Sequence, residues 1–308
     1  MNKSSAKQWR GIFPPMVTPL RDRDTLDVAG VERLIEHILA GGVQGLFILG
    51  STGEAPSLSY RLRRELIERT CRQVAGRAPV LVGITDTAFV ESINLARAAA
   101  NAGAQALVLA APYYFPAGQP ELLEYLQHIA LELPLPLFLY NMPANTKLAF
   151  EPDTVRRAME VPGIVGLKDS SGNMIYFHQL ISLLPPPDWT LLIGPEELLA
   201  EAVLVGGHGG VCGGANICPK LYVDLYEAAA ARKMESVATL HQQVIRLASR
   251  IYQVGHHGSS VIKGIKCALA CLGICDDFMA EPFHRFRSEQ RAEVQGHLEA
   301  LGITRFVG

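Results

Sequence analysis

The sequence predicts a (β/α)8 barrel, the α/β fold known as the TIM barrel, followed by a C-terminal helical appendage. Three observations predict it. Eight short apolar runs recur between residues 11 and 213, each nearly bare of polar side chains, and strands of that kind need cover on both faces. The longer segments between them carry apolar residues at helical spacing. After about Lys233 the strand-like runs stop. A chain of 308 residues has room for two average domains or for one large barrel with an appendage. Eight units in about 220 residues fit a closed barrel better than an open doubly wound sheet. The organisation read from this is 1–232 for the barrel, carrying the site, and 233–308 for a helical region packed on it.

In chain order the strand candidates are GIFPPMVTP (11–19), GLFIL (45–49), VLVGI (80–84), ALVLA (106–110), LFLY (137–140), IVGLK (164–168), TLLIG (190–194) and GGVCG (209–213). Between the early ones, Val31, Leu34, Ile35, Ile38 and Leu39, then Leu62, Leu66, Ile67 and Thr70, then Ile93, Leu95, Ala96 and Ala99 recur with the period of a helix face. Gly41-Gly42, Ala102-Gly103 and Gly206-Gly207 suit helix ends. The remainder reads as three helices over about 235–254, 259–272 and 288–300.

Composition narrows the function. The formal net charge is −2, which offers no electrostatic footprint for nucleic acid or an anionic membrane. A small ligand is the default. Six cysteines, at 71, 212, 218, 267, 271 and 275, form no CxxC pair and no dense disulfide framework. They read as free thiols in a reducing compartment. MNKSSAKQWRGIF has no apolar leader core, and no run of about 18 apolar residues follows. The expectation is a soluble, cytoplasmic protein with no nucleic-acid or membrane partner.

In such a barrel, chemistry gathers at the C-terminal ends of the strands. There the sequence sets GSTGE (50–54), APYYF (111–115), Tyr140 with NMPANTK (141–147), Lys168, PEE (195–197) and GAN (214–216). A strand-end lysine either snorkels or pairs with Asp169, or it is an amine nucleophile that forms a Schiff base with a carbonyl. The second route needs a proton carrier within reach, and Tyr140 ends the adjacent strand. GSTGE is either a turn with the S-x-x-E capping pattern of Ser51 and Glu54, or a run of bare backbone N–H groups that seats a carboxylate.

GSTGE, PYYF, YNMPANT, GIVGLKDSSG and GGHGGVCGGAN, in this order from Gly11 to about Gly302, resemble the family of dihydrodipicolinate synthase and N-acetylneuraminate lyase. The resemblance implies a class I, pyruvate-dependent aldolase that needs no cofactor beyond the covalent imine and no metal. Its substrates would be a small 2-oxo acid and an aldehyde. The assignment it implies is Lys168 for the Schiff base, Tyr140 for acid/base work, and Ser51 and Thr52 for the pyruvyl carboxylate, Ser51 also relaying protons. Tyr114 would complete that relay from a neighbouring subunit, so a homo-oligomer, a dimer or dimer of dimers, is expected. Val211 would pack against the pyruvyl group.

Departures from the synthase pattern point to a branch. Asn145 stands where the synthases have an arginine for the aldehyde's carboxylate, and PANT, KDSSG and GGVC are more similar to the 4-hydroxy-2-oxoglutarate and 2-keto-3-deoxy sugar acid aldolases. Lys147 is either a solvated loop lysine or a replacement for that missing charge. Asn145, Lys147, Glu196, Glu197 and Gly213-Gly214 are the candidates for acceptor choice. The expected function is making or cleaving a C–C bond of a 2-oxo acid. The alternatives are dihydrodipicolinate synthesis, N-acetylneuraminate cleavage and non-catalytic binding of a 2-oxo acid.

Other features read as structural. His208 precedes the last strand and sits at the opposite rim. His256-His257 reads as a helix-capping loop without ligand-spaced partners. Cys267, Cys271 and Cys275 read as a stripe of small buried side chains on one helix, and Glu54 as a residue of helix-start duty.

Overall fold

The computed structural model describes residues 9–115, 117–184 and 189–304. The first eight residues, which bear on the reading of a leader, lie outside that set, as does Pro116 after the PYYF motif. Eight parallel strands form one sheet: β1 (Gly11–Ile12), β4 (Leu46–Ile48), β5 (Val80–Gly83), β6 (Ala106–Ala110), β7 (Leu137–Asn141), β8 (Ile164–Asp169), β9 (Thr190–Ile193) and β10 (Gly209–Gly210). β2 (Leu20–Asp22) and β3 (Thr25–Leu26) make a separate antiparallel hairpin. Each neighbour pairs with the next, β1 pairs with β10, and a parallel bridge from Pro15 to Phe47 brings the first segment back against β4. The sheet thereby curls into the (β/α)8 barrel expected from the eight apolar runs.

The first and last strands are shorter than their apolar runs for a chemical reason. Pro14 and Pro15 have no N–H to give a ladder, so β1 stops at Ile12 and only the Pro15 bridge continues it. At β10 the residues are glycines because the backbones crowd: a Cβ on Gly209 would lie 2.0 Å from the Gly11 carbonyl oxygen.

The helices α1 (Val28–Ala40), α2 (Tyr60–Val74), α3 (Phe89–Ala102), α4 (Gln119–Glu132), α5 (Pro143–Thr146), α6 (Pro152–Ala158), α7 (Met174–Leu183), α8 (Leu199–Leu204) and α9 (Pro219–Ala230) follow the strands. Their apolar faces, such as Leu34, Ile35 and Ile38 on α1 and Leu62, Leu66 and Ile67 on α2, are buried against the outside of the barrel. Inside the barrel a second cluster forms from Phe13, Phe47, Leu81, Val108, Phe138, Tyr140, Leu192 and Val211. Gly166 makes room there, since a Cβ would meet the Phe138 ring at 2.5 Å.

Three further helices follow: α10 (Met234–Ile251), α11 (Ser260–Cys271) and α12 (Ser288–Ala300). They reach the mouth of the barrel through side chains. Tyr252 donates to Glu196, His241 bonds to the Glu197 carbonyl, and Lys266 pairs with Glu54. The cysteine stripe is shorter than its spacing suggested: Cys267 and Cys271 lie on α11, but the helix has ended before Cys275. No helix among the described residues is long and apolar enough to cross a membrane.

Candidate active site

Strand pairing brings the two central residues together. In the β7–β8 ladder Tyr140 is the register partner of Lys168, and Asn141 that of Asp169. Successive side chains of a strand face opposite sides, so one pair points into the barrel and the next points out. The Lys168 ammonium lies 4.1 Å from the centre of the Tyr140 ring and 5.2 Å from that of Phe47. Both residues are buried, 6% and 7% exposed.

Asp169 does not take the lysine. Its Oδ1 accepts from Asn141 Nδ2 at 2.9 Å and from the Ser171 N–H at 3.0 Å, and its Oδ2 accepts from Ser171 Oγ. Burial raises the Asp169 pKa above the usual carboxylate value in spite of the hydrogen bonds from Asn141 and Ser171. These outward-facing bonds tie the ends of β7 and β8 together behind Lys168.

Tyr140 reaches the turn after β4, where its hydroxyl lies 3.3 Å from Ser51 Oγ. Burial alone would raise the phenol. The Lys168 charge, with hydrogen bonding from Ser51, Ser170 and Lys168, outweighs it and holds Tyr140 below the ordinary tyrosine value. Such a phenol, between an amine and a hydroxyl, suits proton exchange in both directions.

The turn is built by backbone conformation. Leu49 leaves β4 with φ 57° and Glu54 has φ 56°, an uncommon region for side chains other than glycine, asparagine and aspartate. Glu54 N–H donates to the Ser51 carbonyl, and Thr18 Oγ1 donates to the Gly53 carbonyl. The S-x-x-E capping box does not form. α2 is capped instead by Ser59, whose Oγ accepts from the Leu62 N–H, and the Glu54 side chain turns inward to Lys266 and Ala280.

A cleft of about 870 Å³ opens over these groups, lined by Ser51, Thr52, Tyr140, Asn145, Lys168, Ser170, Val211 and Gly213. Its outer wall comes from the C-terminal region: Tyr252, His257, Gly258, Ser259, Val261, Ile262 and Phe283. His257 and Ser259 are thus mouth residues, which sequence reasoning missed because it treated that loop as a cap. A polar loop entering a helix of the appendage carries no local sign that it folds back over the barrel. Glu197 also lines the cleft. Glu196 lines it with a carboxylate already engaged: Oε1 accepts from Tyr222 and Tyr252, and Oε2 accepts from the Gly214 N–H. Burial raises its pKa to about 7 against these hydrogen bonds.

A second cleft of about 440 Å³ lies on the other side of Tyr140, lined by Phe47, Ser51, Tyr113, Tyr140, Asn145 and Lys147 among others. Lys147 borders this cleft and not the mouth, and its ammonium donates to the Ala144 carbonyl at 2.6 Å. Tyr114 and Phe115, beside Tyr113, are 75% and 78% exposed and stack edge to face. His208 sits at the far rim, where its Nδ1 accepts from the Leu191 N–H at 3.0 Å. Among the described residues no group of three or more His, Cys, Asp or Glu is placed to hold a metal ion.

The chain is 30% identical over 301 residues to a probable 2-dehydro-3-deoxy-D-pentonate aldolase of Escherichia coli K12, covering 96% of this chain and 99% of that protein. It is 29% identical over 294 residues to a 4-hydroxy-tetrahydrodipicolinate synthase of Cellvibrio japonicus, covering 96% and 99%. Among solved structures, dihydrodipicolinate synthase from Bacteroides thetaiotaomicron superposes with a TM-score of 0.93 at 54% identity, covering 97% of this chain and 100% of that one. The YagE protein of E. coli K12, solved with pyruvate, gives a TM-score of 0.90 at 29% identity, covering 96% and 99%. The pattern of the dihydrodipicolinate synthetase family matches residues 8–301. The chain therefore belongs to that family, whose members are carbon–carbon lyases that work through an imine between pyruvate and a lysine without an external cofactor.

Proposed function

We propose that this protein is an aldolase that joins pyruvate to, or releases it from, an uncharged hydroxyaldehyde, with a 2-keto-3-deoxy sugar acid on the other side of the reaction. The observation that carries the reading is the buried Lys168 amine against the Tyr140 ring, with the Tyr140 hydroxyl 3.3 Å from Ser51 Oγ. The free amine of Lys168 attacks the C2 carbonyl and gives a carbinolamine. Tyr140 passes a proton to the departing hydroxyl, water leaves, and a protonated imine remains. That imine accepts the electron pair of the C3–C4 bond when a 4-hydroxy-2-oxo acid is cleaved, while the Tyr140 phenolate takes the proton of the C4 hydroxyl, leaving an enamine and an aldehyde. In the other direction the enamine C3 adds to the aldehyde.

Ser51 and Thr52 hold the pyruvyl carboxylate, and Val211 packs beside its methyl group. The choice of acceptor rests on charge. Among the described residues, the mouth contains no arginine and no lysine apart from Lys168, so nothing there grips a second carboxylate as a guanidinium would. Asn145, Glu197, His257 and Ser259 offer hydrogen bonds suited to hydroxyl groups. The exposed Tyr114–Phe115 pair beside the second cleft supports a homo-oligomer in which Tyr114 of a second copy completes the proton relay. None of the six cysteines forms a disulfide among the described residues, which supports a cytoplasmic setting.

Borohydride added with pyruvate tests the reading directly. A reduced pyruvyl adduct on Lys168, absent in Lys168→Ala, is expected, and no adduct under conditions that label a known family member refutes it. A second reading, dihydrodipicolinate synthesis, is favoured by the 54% identity to the B. thetaiotaomicron protein. Condensation of pyruvate with aspartate semialdehyde faster than with glycolaldehyde or glyceraldehyde would establish that reading in place of the first.

A further inference from the structure

The turn that seats the donor's carboxylate is held by a buried ion pair that the reaction itself does not use. Glu54 ends the GSTGE turn in a left-handed backbone conformation, where glycine would be the relaxed choice. Its carboxylate accounts for the side chain being kept. Oε2 accepts from Lys266 Nζ at 2.5 Å, and Oε1 accepts from the Ala280 N–H at 2.8 Å. Both side chains are buried, 2% and 0% exposed. Lys266 also donates to the Phe278 carbonyl at 2.5 Å, so one contact joins the turn, α11 and the segment after it.

Two physical consequences follow. A carboxylate beside a seat for an anion would oppose that anion, and the Lys266 ammonium cancels its charge at contact distance. Moreover, Ile262 lines the mouth of the cleft and lies one helical turn before Lys266, on the same face of α11. One helix face therefore touches the acceptor's opening at one level and the donor's seat at the next. We propose that Glu54 and Lys266 are positioning residues: their ion pair sets Ser51 and Thr52 for the donor's carboxylate and ties that seat, through α11, to the acceptor's mouth. The inference rests on the aldolase reading above.

The test is borohydride trapping on Lys168 with two donors, pyruvate and acetone, which carries the same ketone without a carboxylate. Lys266→Met should raise the half-saturating pyruvate concentration about tenfold or more, because misplacement of a positioning group by about 1 Å costs up to about a hundredfold. Trapping of acetone should stay within about twofold of wild type, and Lys266→Arg should recover part of the pyruvate response. Equal loss for both donors, or no change for either, overturns the inference and leaves the aldolase reading intact. Absence of the wild-type adduct overturns the aldolase reading, and the inference with it. If Lys266→Met does not fold, hydrogen exchange of the wild-type protein decides. Trapped pyruvate should slow exchange at the Ala280 amide together with that of residues 51–54, and an Ala280 amide unaffected by pyruvate overturns the inference.

Discussion

Replacing Gly83 by alanine should damage the site from outside it. Gly83 ends β5, and a Cβ there would lie 2.0 Å from the Leu49 carbonyl oxygen and 2.7 Å from its carbon. The obstruction is backbone, so no side-chain rotation relieves it. Carbon–oxygen contacts settle near about 3.3 Å, and Leu49 must retreat by roughly 1 Å or more. Leu49 opens the turn that carries Ser51, whose hydroxyl stands 3.3 Å from that of Tyr140, so the retreat breaks that contact. Overpacking of this kind costs about 1–3 kcal/mol, a melting-point loss of roughly 2–5 °C for a chain this long. Displacement of the seat should cost about a hundredfold in kcat/KM. Gly76→Ala is the matched control: its φ is 76° with no heavy atom within 4 Å of an added Cβ. It should lose about 1–2 kcal/mol for the left-handed backbone and keep its activity. Thermal unfolding and aldol-cleavage rates of the two variants decide the matter. Wild-type kcat/KM in Gly83→Ala, or an equal activity loss in Gly76→Ala, refutes the reasoning.

Three further outcomes are expected. Tyr140→Phe removes the phenol beside Lys168, the proton carrier of the proposed mechanism, and should lower kcat by about 10²–10⁴-fold with little change in melting temperature; turnover within a few-fold of wild type, measured by pyruvate release, would assign the relay elsewhere. Burial lowers the His208 pKa from 6.5 to about 4, so the unfolded ring binds its proton first and stability falls by about 3 kcal/mol as pH drops from 6.5 to 4. Denaturant titrations should show that loss reduced in His208→Asn. Glu196 works in the opposite direction: burial raises its pKa from 4.5 to about 7, the unfolded carboxyl loses its proton first, and stability falls by about 3 kcal/mol as pH rises from 4.5 to 7. Tyr222→Phe removes a donor to the ionised form and should extend that fall to higher pH.

The barrel was legible because its signal is local. Runs such as ALVLA and VLVGI carry no polar residue for either face, and each became a strand within a residue or two of its run. Lys168 and Tyr140 were legible for the same reason, as polar residues at the ends of apolar strands. The role of Glu54 was not. Its partners lie 212 and 226 residues along the chain, and the S-x-x-E spacing offered a nearer explanation that the fold does not use. His257 and Ser259 escaped likewise, since only the path of the appendage carries them to the mouth. Glu196 stood at the right rim, but the two tyrosines and the amide that occupy its carboxylate come from three different segments.

The seam between β1 and β10 governs when the molecule comes into being. Gly11 and Ile12 wait for Gly209 and Gly210, and Asn216 then locks the join by donating to the Pro15 carbonyl and accepting from the Val17 N–H. On the ribosome, the strands from β4 to β9 emerge in pairing order and can condense as they appear, with the first segment against β4, whereas the β1–β10 seam cannot close until more than two-thirds of the chain is made. The Glu54 carboxylate waits longer still, for Lys266 and Ala280. A nascent chain released early would hold both Lys168 and Tyr140 and yet have an open ring and an unheld turn at residues 50–54.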